Sequence, residues 1–237
     1  MPAVYLGRIM AIVVGIDGTG SAFLPGSGRD REYDVAFANS FVTRIARNGG
    51  PNKAYFRGPV ALGGGLPEAI EGGLRFIRAR RAARVMDPIV LTGYSRGAAG
   101  VVSMAARLQR ERIDVRALLL FDCVDRHLAI DADEIPNNVG YVYHVIRDPR
   151  SGSRESFGND GMRYRAPTVF PTAYSFMCTH GGMGGCPWTP GPGQRLTDRI
   201  DEGGMDGGTN ITFAQDASVS MQVWQHCVPF MRTHGFI

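Results

Sequence analysis

The chain has 237 residues, 44% hydrophobic and 20% charged, a balance that suits a globular protein with a substantial buried core. No apolar run reaches the roughly 18 residues that a membrane-spanning helix needs, which excludes a helical membrane protein. The net charge of +4, with 25 arginines and a single lysine, supports weak attraction to anionic surfaces, phospholipid included, and is not a nucleic-acid footprint.

Residues 9–16 form a continuous apolar, β-branched run, the pattern of a strand covered on both faces. Asp17 cuts the run off and no small-residue cleavage site follows, so it reads as a core strand rather than a leader. The mature chain is therefore expected to start in a cytoplasm, which says nothing of signal-independent export. Asp17-Gly18-Thr19-Gly20-Ser21 is a turn rich in backbone donors, and residues 25–31 form a polar, glycine-rich loop. Helical spacing over 35–46 ends at Asn48-Gly49-Gly50-Pro51, a stop signal. A short strand over 53–56 and the loop Gly63-Gly64-Gly65 precede a helix over 67–84, opened by Pro67. The arginines between Arg75 and Arg84 read as the solvated face of that helix.

The apolar run Ile89-Val90-Leu91 then leads into Gly93-Tyr94-Ser95-Arg96-Gly97, and residues 101–108 read as a helix. Gly-x-Ser-x-Gly between a strand and a helix is a turn too tight for flanking side chains. Gly93 and Gly97 leave room while Ser95 is lifted out at a helix N-terminus, where N–H groups favour developing negative charge. Further apolar strands are expected over 115–121, ending at Asp122, over 139–146, ending near Asp148, and over 169–178, ending at Thr179-His180. A helix over 218–234 closes the chain, and 187–208 is the longest irregular stretch, a binding loop or lid in form. Alternating strands and helices with no internal repeat or linker predict one α/β domain over 1–237, a mostly parallel sheet with helices on both faces.

A serine hydroxyl becomes a useful nucleophile only when a base takes its proton and an acid orients that base. The strand ends supply them in the chain order serine, acid, histidine, that of the α/β-hydrolases. His180 is the favoured base, because it follows a strand and opens the glycine loop 181–185. His144 lies mid-strand, His226 and His234 lie on the last helix, and His127 follows strand-end carboxylates. For the acid, Asp122 and Asp148 are equal by position, with Asp125 one turn beyond Asp122. The oxyanion hole is expected from the N–H of Arg96 and one from Gly18 or Thr19, with Asp17 bracing their loop.

Two other classes compete: a non-catalytic binding protein on the same fold, and a nucleotide-binding protein using Asp17-Gly18-Thr19-Gly20, for which no second phosphate loop is found. Cys178, His180 and Cys186 cluster in one loop without paired zinc-ligand spacing, so no metal or other cofactor is expected. Cys123, Cys178, Cys186 and Cys227 lack scaffold spacing and are expected as reduced thiols.

Taken in order, Asp17-Gly18-Thr19-Gly20, Gly63-Gly64-Gly65-Leu66, Gly93-Tyr94-Ser95-Arg96-Gly97-Ala98, Phe121-Asp122-Cys123-Val124, His144-Val145-Ile146-Arg147-Asp148 and Thr179-His180-Gly181-Gly182-Met183-Gly184-Gly185 resemble the DUF2235 family of α/β-hydrolases. That family includes phospholipase effectors of bacterial type VI secretion. The resemblance covers most of the chain. It implies Ser95 as nucleophile, His180 as base and Asp122 as acid on an α/β-hydrolase fold, while the short chain, with little room for the large lid of effector lipases, points to minimal or no cap domain. It also implies a lipid or phospholipid ester as substrate. Gly182 departs from the family, standing where its loop carries an aspartate.

Overall fold

The computed structural model describes residues 10–20, 30–47, 50–125, 130, 132–158, 161–203 and 207–237. His127, Asn48-Gly49 and most of the 25–31 loop lie outside the described residues. In chain order the elements are β1 (Ile12–Ile16), α1 (Asp30–Ala36), α2 (Phe41–Ala46), β2 (Lys53–Phe56), α3 (Leu66–Ala82), β3 (Ile89–Tyr94), α4 (Arg96–Arg110) and β4 (Val115–Phe121). They continue with β5 (Glu134–Ile135), β6 (Val139–Arg147), β7 (Arg163–Tyr164), β8 (Ala173–Phe176), α5 (His180–Met183), β9 (Arg199–Asp201), β10 (Gly208–Thr212) and α6 (Phe213–His234).

Six strands make one sheet in the order β2-β1-β3-β4-β6-β8, and every pairing in it is parallel. This is an α/β fold built on a parallel sheet. Alternation along the strands divides the core. Ile12, Val14 and Ile16 pack with Leu91, Leu118 and Leu120 against α3 and α4. Val13, Val90, Leu119 and Phe121 face Phe41 and Ile45 of α2 and Val223, Cys227 and Met231 of α6. Both faces are therefore covered, as an all-parallel sheet requires.

The chain leaves β1 towards β2 on one side and returns to β3 on the other. A crevice forms at such a reversal, outside the carboxyl ends of the strands. There the backbone ladder runs one residue past the strands. Asp17 donates its N–H to Phe56 O at 3.1 Å, Ser95 to Phe121 O at 3.0 Å, Asp122 to Val145 O at 2.7 Å and Asp148 to Phe176 O at 2.8 Å. The sheet itself thus sets the spacing of these four residues.

Several elements differ from expectation. The helix read over 35–46 is two helices, α1 and α2, because Ser40 accepts the Thr43 N–H and caps a new start. The strand read over 169–178 shrinks to β8, with Val169 in an isolated bridge to Tyr141. Pro171 between them has no N–H to give the ladder. The irregular stretch 187–208 contains β9, which pairs antiparallel with β10. Among the described residues, no helix is long and apolar enough to cross a membrane.

Candidate active site

The turn from β3 into α4 has the tightness its glycines imply. A Cβ on Gly93 would lie 2.5 Å from Gly97 O, and one on Gly97 would lie 2.2 Å from Asp17 O. Ser95 caps α4 with φ 55° and ψ −128°, a conformation side chains rarely adopt, held here by the sheet bond to Phe121 and by α4 behind it. Asp122, at the end of the neighbouring strand, also has a positive φ, of 46°.

His180 reaches both. Its Nε2 lies 2.9 Å from Ser95 Oγ, and its Nδ1 lies 2.6 Å from Asp122 Oδ2. The three side chains are buried, Asp122 completely. The expected glycine loop is a single helical turn, α5, that begins at His180 and is capped by Thr179. The His180 N–H donates to Ser153 Oγ at 2.8 Å, and its carbonyl accepts the Tyr94 hydroxyl at 2.9 Å. The imidazole lies 5.0 Å from the Tyr94 ring and meets Phe157 edge-on at 5.3 Å.

Arg147 enters the sequence reading only within the His144–Asp148 motif, with no role of its own. Its guanidinium donates to Asp122 Oδ2 at 2.7 Å and its backbone N–H to Asp122 Oδ1 at 3.1 Å. It also donates to the carbonyls of Ser153, Arg154 and Gly158, so it fixes both the acid and the segment that carries Phe157. Burial pushes the Asp122 carboxyl up, yet the bond and charge of His180 and the charge of Arg147 leave it below the usual carboxylate range. An arginine ending a largely apolar and aromatic strand was the available signal.

Asp148 lies elsewhere in function. It caps the short turn 149–151 and pairs with Arg150 at 2.7 Å, which lowers its carboxyl to about 2. Asp125 accepts the Ala132 N–H. His144 is buried and neutral, pushed down to about 4 by desolvation, and accepts the Cys123 N–H. His226 meets the Tyr143 hydroxyl at 2.7 Å, and His234 lies against Phe230 and Tyr141.

A cavity of about 410 Å³ opens above Ser95, with Thr19, Arg96, Val124, Phe157, Trp188 and Glu202 in its wall. Gly18 requires a correction: its N–H donates to Asp17 Oδ1 at 3.0 Å, facing inward. Thr19 and Arg96, the other two residues expected to supply oxyanion donors, both line the cavity. Asp17 is fully buried, and Ser40, Thr43 and Tyr55 donate hydroxyls to it, so it braces the loop from below and presents nothing to a phosphate or its cation. All four cysteines are free. Among the described residues, no three His, Cys, Asp or Glu side chains are grouped to hold a metal ion.

No family model matches the chain, and neither does any curated protein sequence. Among solved structures, a protein of unknown function from Agrobacterium tumefaciens is similar at 18% identity and a TM-score of 0.32, over 60% of this chain and 70% of that one. An uncharacterised protein from Pseudomonas aeruginosa is similar at 15% identity and a TM-score of 0.32, over 74% of this chain and 42% of that one. This chain thus spans less than half of the Pseudomonas protein's length. An acetyl xylan esterase is similar at 11% identity and a TM-score of 0.30, over 93% of this chain and 97% of that one.

Proposed function

We propose that the protein is a serine hydrolase that cleaves carboxylic esters through an acyl-enzyme. The observation that carries this reading is the unbroken chain from Ser95 Oγ through His180 to Asp122, at 2.9 and 2.6 Å, on the floor of an open cavity. Ser95 Oγ attacks the ester carbonyl while His180 Nε2 takes its proton. The N–H groups of Arg96 and Thr19 stabilise the oxyanion. His180 then gives the proton to the departing alkoxide, and the ester C–O bond breaks. Water repeats the cycle on the acyl-enzyme, releasing the acid and restoring Ser95. Asp122 fixes the His180 tautomer with the proton on Nδ1 and stabilises the imidazolium.

The finer assignment, to lipid or phospholipid esters, rests on the resemblance to the DUF2235 family. A peripheral contact with anionic membrane would use the arginine-rich surface. Exposed Leu62 beside the cavity residue Ala61, and Trp188 at its mouth, suit an apolar substrate.

Labelling by a fluorophosphonate and hydrolysis of p-nitrophenyl esters of graded chain length test both levels. The wild type is expected to label and turn over, Ser95→Ala to do neither, and Asp122→Asn to lose about 10⁴-fold in kcat. A folded wild type that takes no label ends the hydrolase reading in favour of a binding protein. Activity confined to the shortest esters, with no binding to anionic vesicles, removes the lipid assignment and keeps the esterase.

A further inference from the structure

Behind the base sits a second buried carboxylate that the proposed reaction does not consume. Asp216, in the first turn of α6, has no exposure. One oxygen accepts the Thr179 N–H at 2.8 Å and the Cys178 thiol at 3.2 Å. The other accepts the Thr179 hydroxyl and the Trp188 N–H, both at 2.9 Å. Thr179 directly precedes His180, and its Oγ1 accepts the Gly182 N–H at 3.0 Å to cap α5. Ser220, one turn further along α6, donates to Gly182 O at 2.7 Å. The fit allows no side chain at 182, where a Cβ would lie 2.5 Å from Asp216 Oδ1 and 2.3 Å from Cys178 Sγ.

We propose that Asp216 is a positioning residue that couples the base to the substrate pocket, one carboxylate fixing both the start of the His180 turn and the cavity wall at Trp188. The coupling rests on the serine-hydrolase reading. Its physical basis is twofold. A negative charge suits the first turn of a helix, and a carboxylate satisfies more donors than any neutral side chain of its size. Cys178 belongs to the same cluster as a neutral donor, because burial and the Asp216 charge push its thiol well above the usual range. Loss of the Thr179 bonds displaces His180 relative to Ser95 and is read in kcat. Loss of the Trp188 bond loosens the pocket wall and is read in KM.

The test uses Thr179→Ser, Thr179→Val and Asp216→Asn in the full chain. It measures kcat and KM on a p-nitrophenyl ester, the rate and stoichiometry of fluorophosphonate labelling, and thermal unfolding. Thr179→Ser, which keeps the hydroxyl, is expected near wild type. Thr179→Val is expected to lower kcat about 10-fold at unchanged KM, and Asp216→Asn to lower kcat about 100-fold and raise KM, since sub-ångström misplacement of a base is costly. Equal kcat in folded Thr179→Ser and Thr179→Val overturns the role, as does wild-type kcat and KM in folded Asp216→Asn. So does a loss confined to labelling stoichiometry, which marks a folding effect alone. If Asp216→Asn fails to fold, the Thr179 pair decides. A wild type that takes no label fails at the hydrolase reading itself, and this role falls with it.

Discussion

Asp17 and Asp122 end parallel strands on the same edge of the same sheet, both without exposure, yet they are kept there by opposite means. Asp122 has the Arg147 guanidinium at 2.7 Å and His180 at 2.6 Å, and its carboxyl is held low. Asp17 meets three hydroxyls and the Gly18 N–H, and desolvation outweighs them, raising its carboxyl from 3.8 to about 7. Neutral donors satisfy the oxygens of a buried carboxylate, but a cation is what keeps it charged. The acid that must stay ionised to serve a histidine has the cation. The acid that braces the Gly18-Thr19 loop does not.

The sharpest way to break this contrast is to remove the cation. Arg147→Met leaves Asp122 buried without its guanidinium and frees the carbonyls of Ser153, Arg154 and Gly158. Breaking a buried pair from one side costs about 3–5 kcal/mol, which for a chain of this size lowers Tm by roughly 10 °C. Thermal unfolding measures it. A fall of less than about 2 °C would show that Asp122 does not depend on Arg147 for its charge. Ester hydrolysis is expected to fall as well, because Ser153 Oγ holds the His180 N–H.

That dependence was hidden in the sequence for a physical reason. Runs of β-branched residues and the Gly93–Gly97 turn are local features, so β1, β3, β4 and the elbow at Ser95 are legible from the chain alone. Arg147 meets Asp122 only because β6 lies beside β4 in a particular register, with Val145 opposite Phe121. Asp216 reaches Thr179 from a helix 37 positions later. The inward turn of the Gly18 N–H is a matter of where the Asp17 side chain points, and spacing carries no such information. Asp122 and Asp148 are alike as strand-end carboxylates. They differ in backbone, where Asp122 alone has a positive φ, and in their neighbours, His180 and Arg147 for one and Arg150 for the other.

The contrast also sets a pH dependence, and its sign follows from the direction of each shift. Asp17 binds its proton more tightly folded than unfolded, so its contribution to stability declines as pH rises from about 4 to about 7. Above that range the full cost of the buried charge is carried, about 4 kcal/mol. Asp122 runs the other way, its contribution being lost as pH falls through its lowered folded value. Urea unfolding at pH 4.5 and at pH 7.5, both chosen as test conditions at roughly the two ends of that window, compares wild type with Asp17→Asn. The wild type is expected to lose about 3–4 kcal/mol more than the variant between the two. Parallel behaviour of the two proteins would mean that Asp17 stays ionised through neutrality.

The smallest effect is expected at Asp148, and it separates two carboxylates that sequence position cannot. Asp148 accepts the Arg150 N–H at 2.9 Å and pairs with an Arg150 side chain that is mostly in solvent. A pair whose arginine lies mostly in solvent is screened and contributes little, and the cap of a single short turn adds only modestly. Asp148→Asn is therefore expected to keep kcat/KM within about 2-fold of wild type, because no bond of its carboxylate leads to His180. Its backbone N–H to Phe176 O, which holds β6 to β8, survives the substitution unchanged. The discriminating measurement is kcat/KM of folded Asp148→Asn beside Asp122→Asn on one ester. A dead Asp148→Asn with an active Asp122→Asn would mean that the His180 proton is held by a carboxylate other than the one within 2.6 Å of it, and the triad would have to be rebuilt around Asp148.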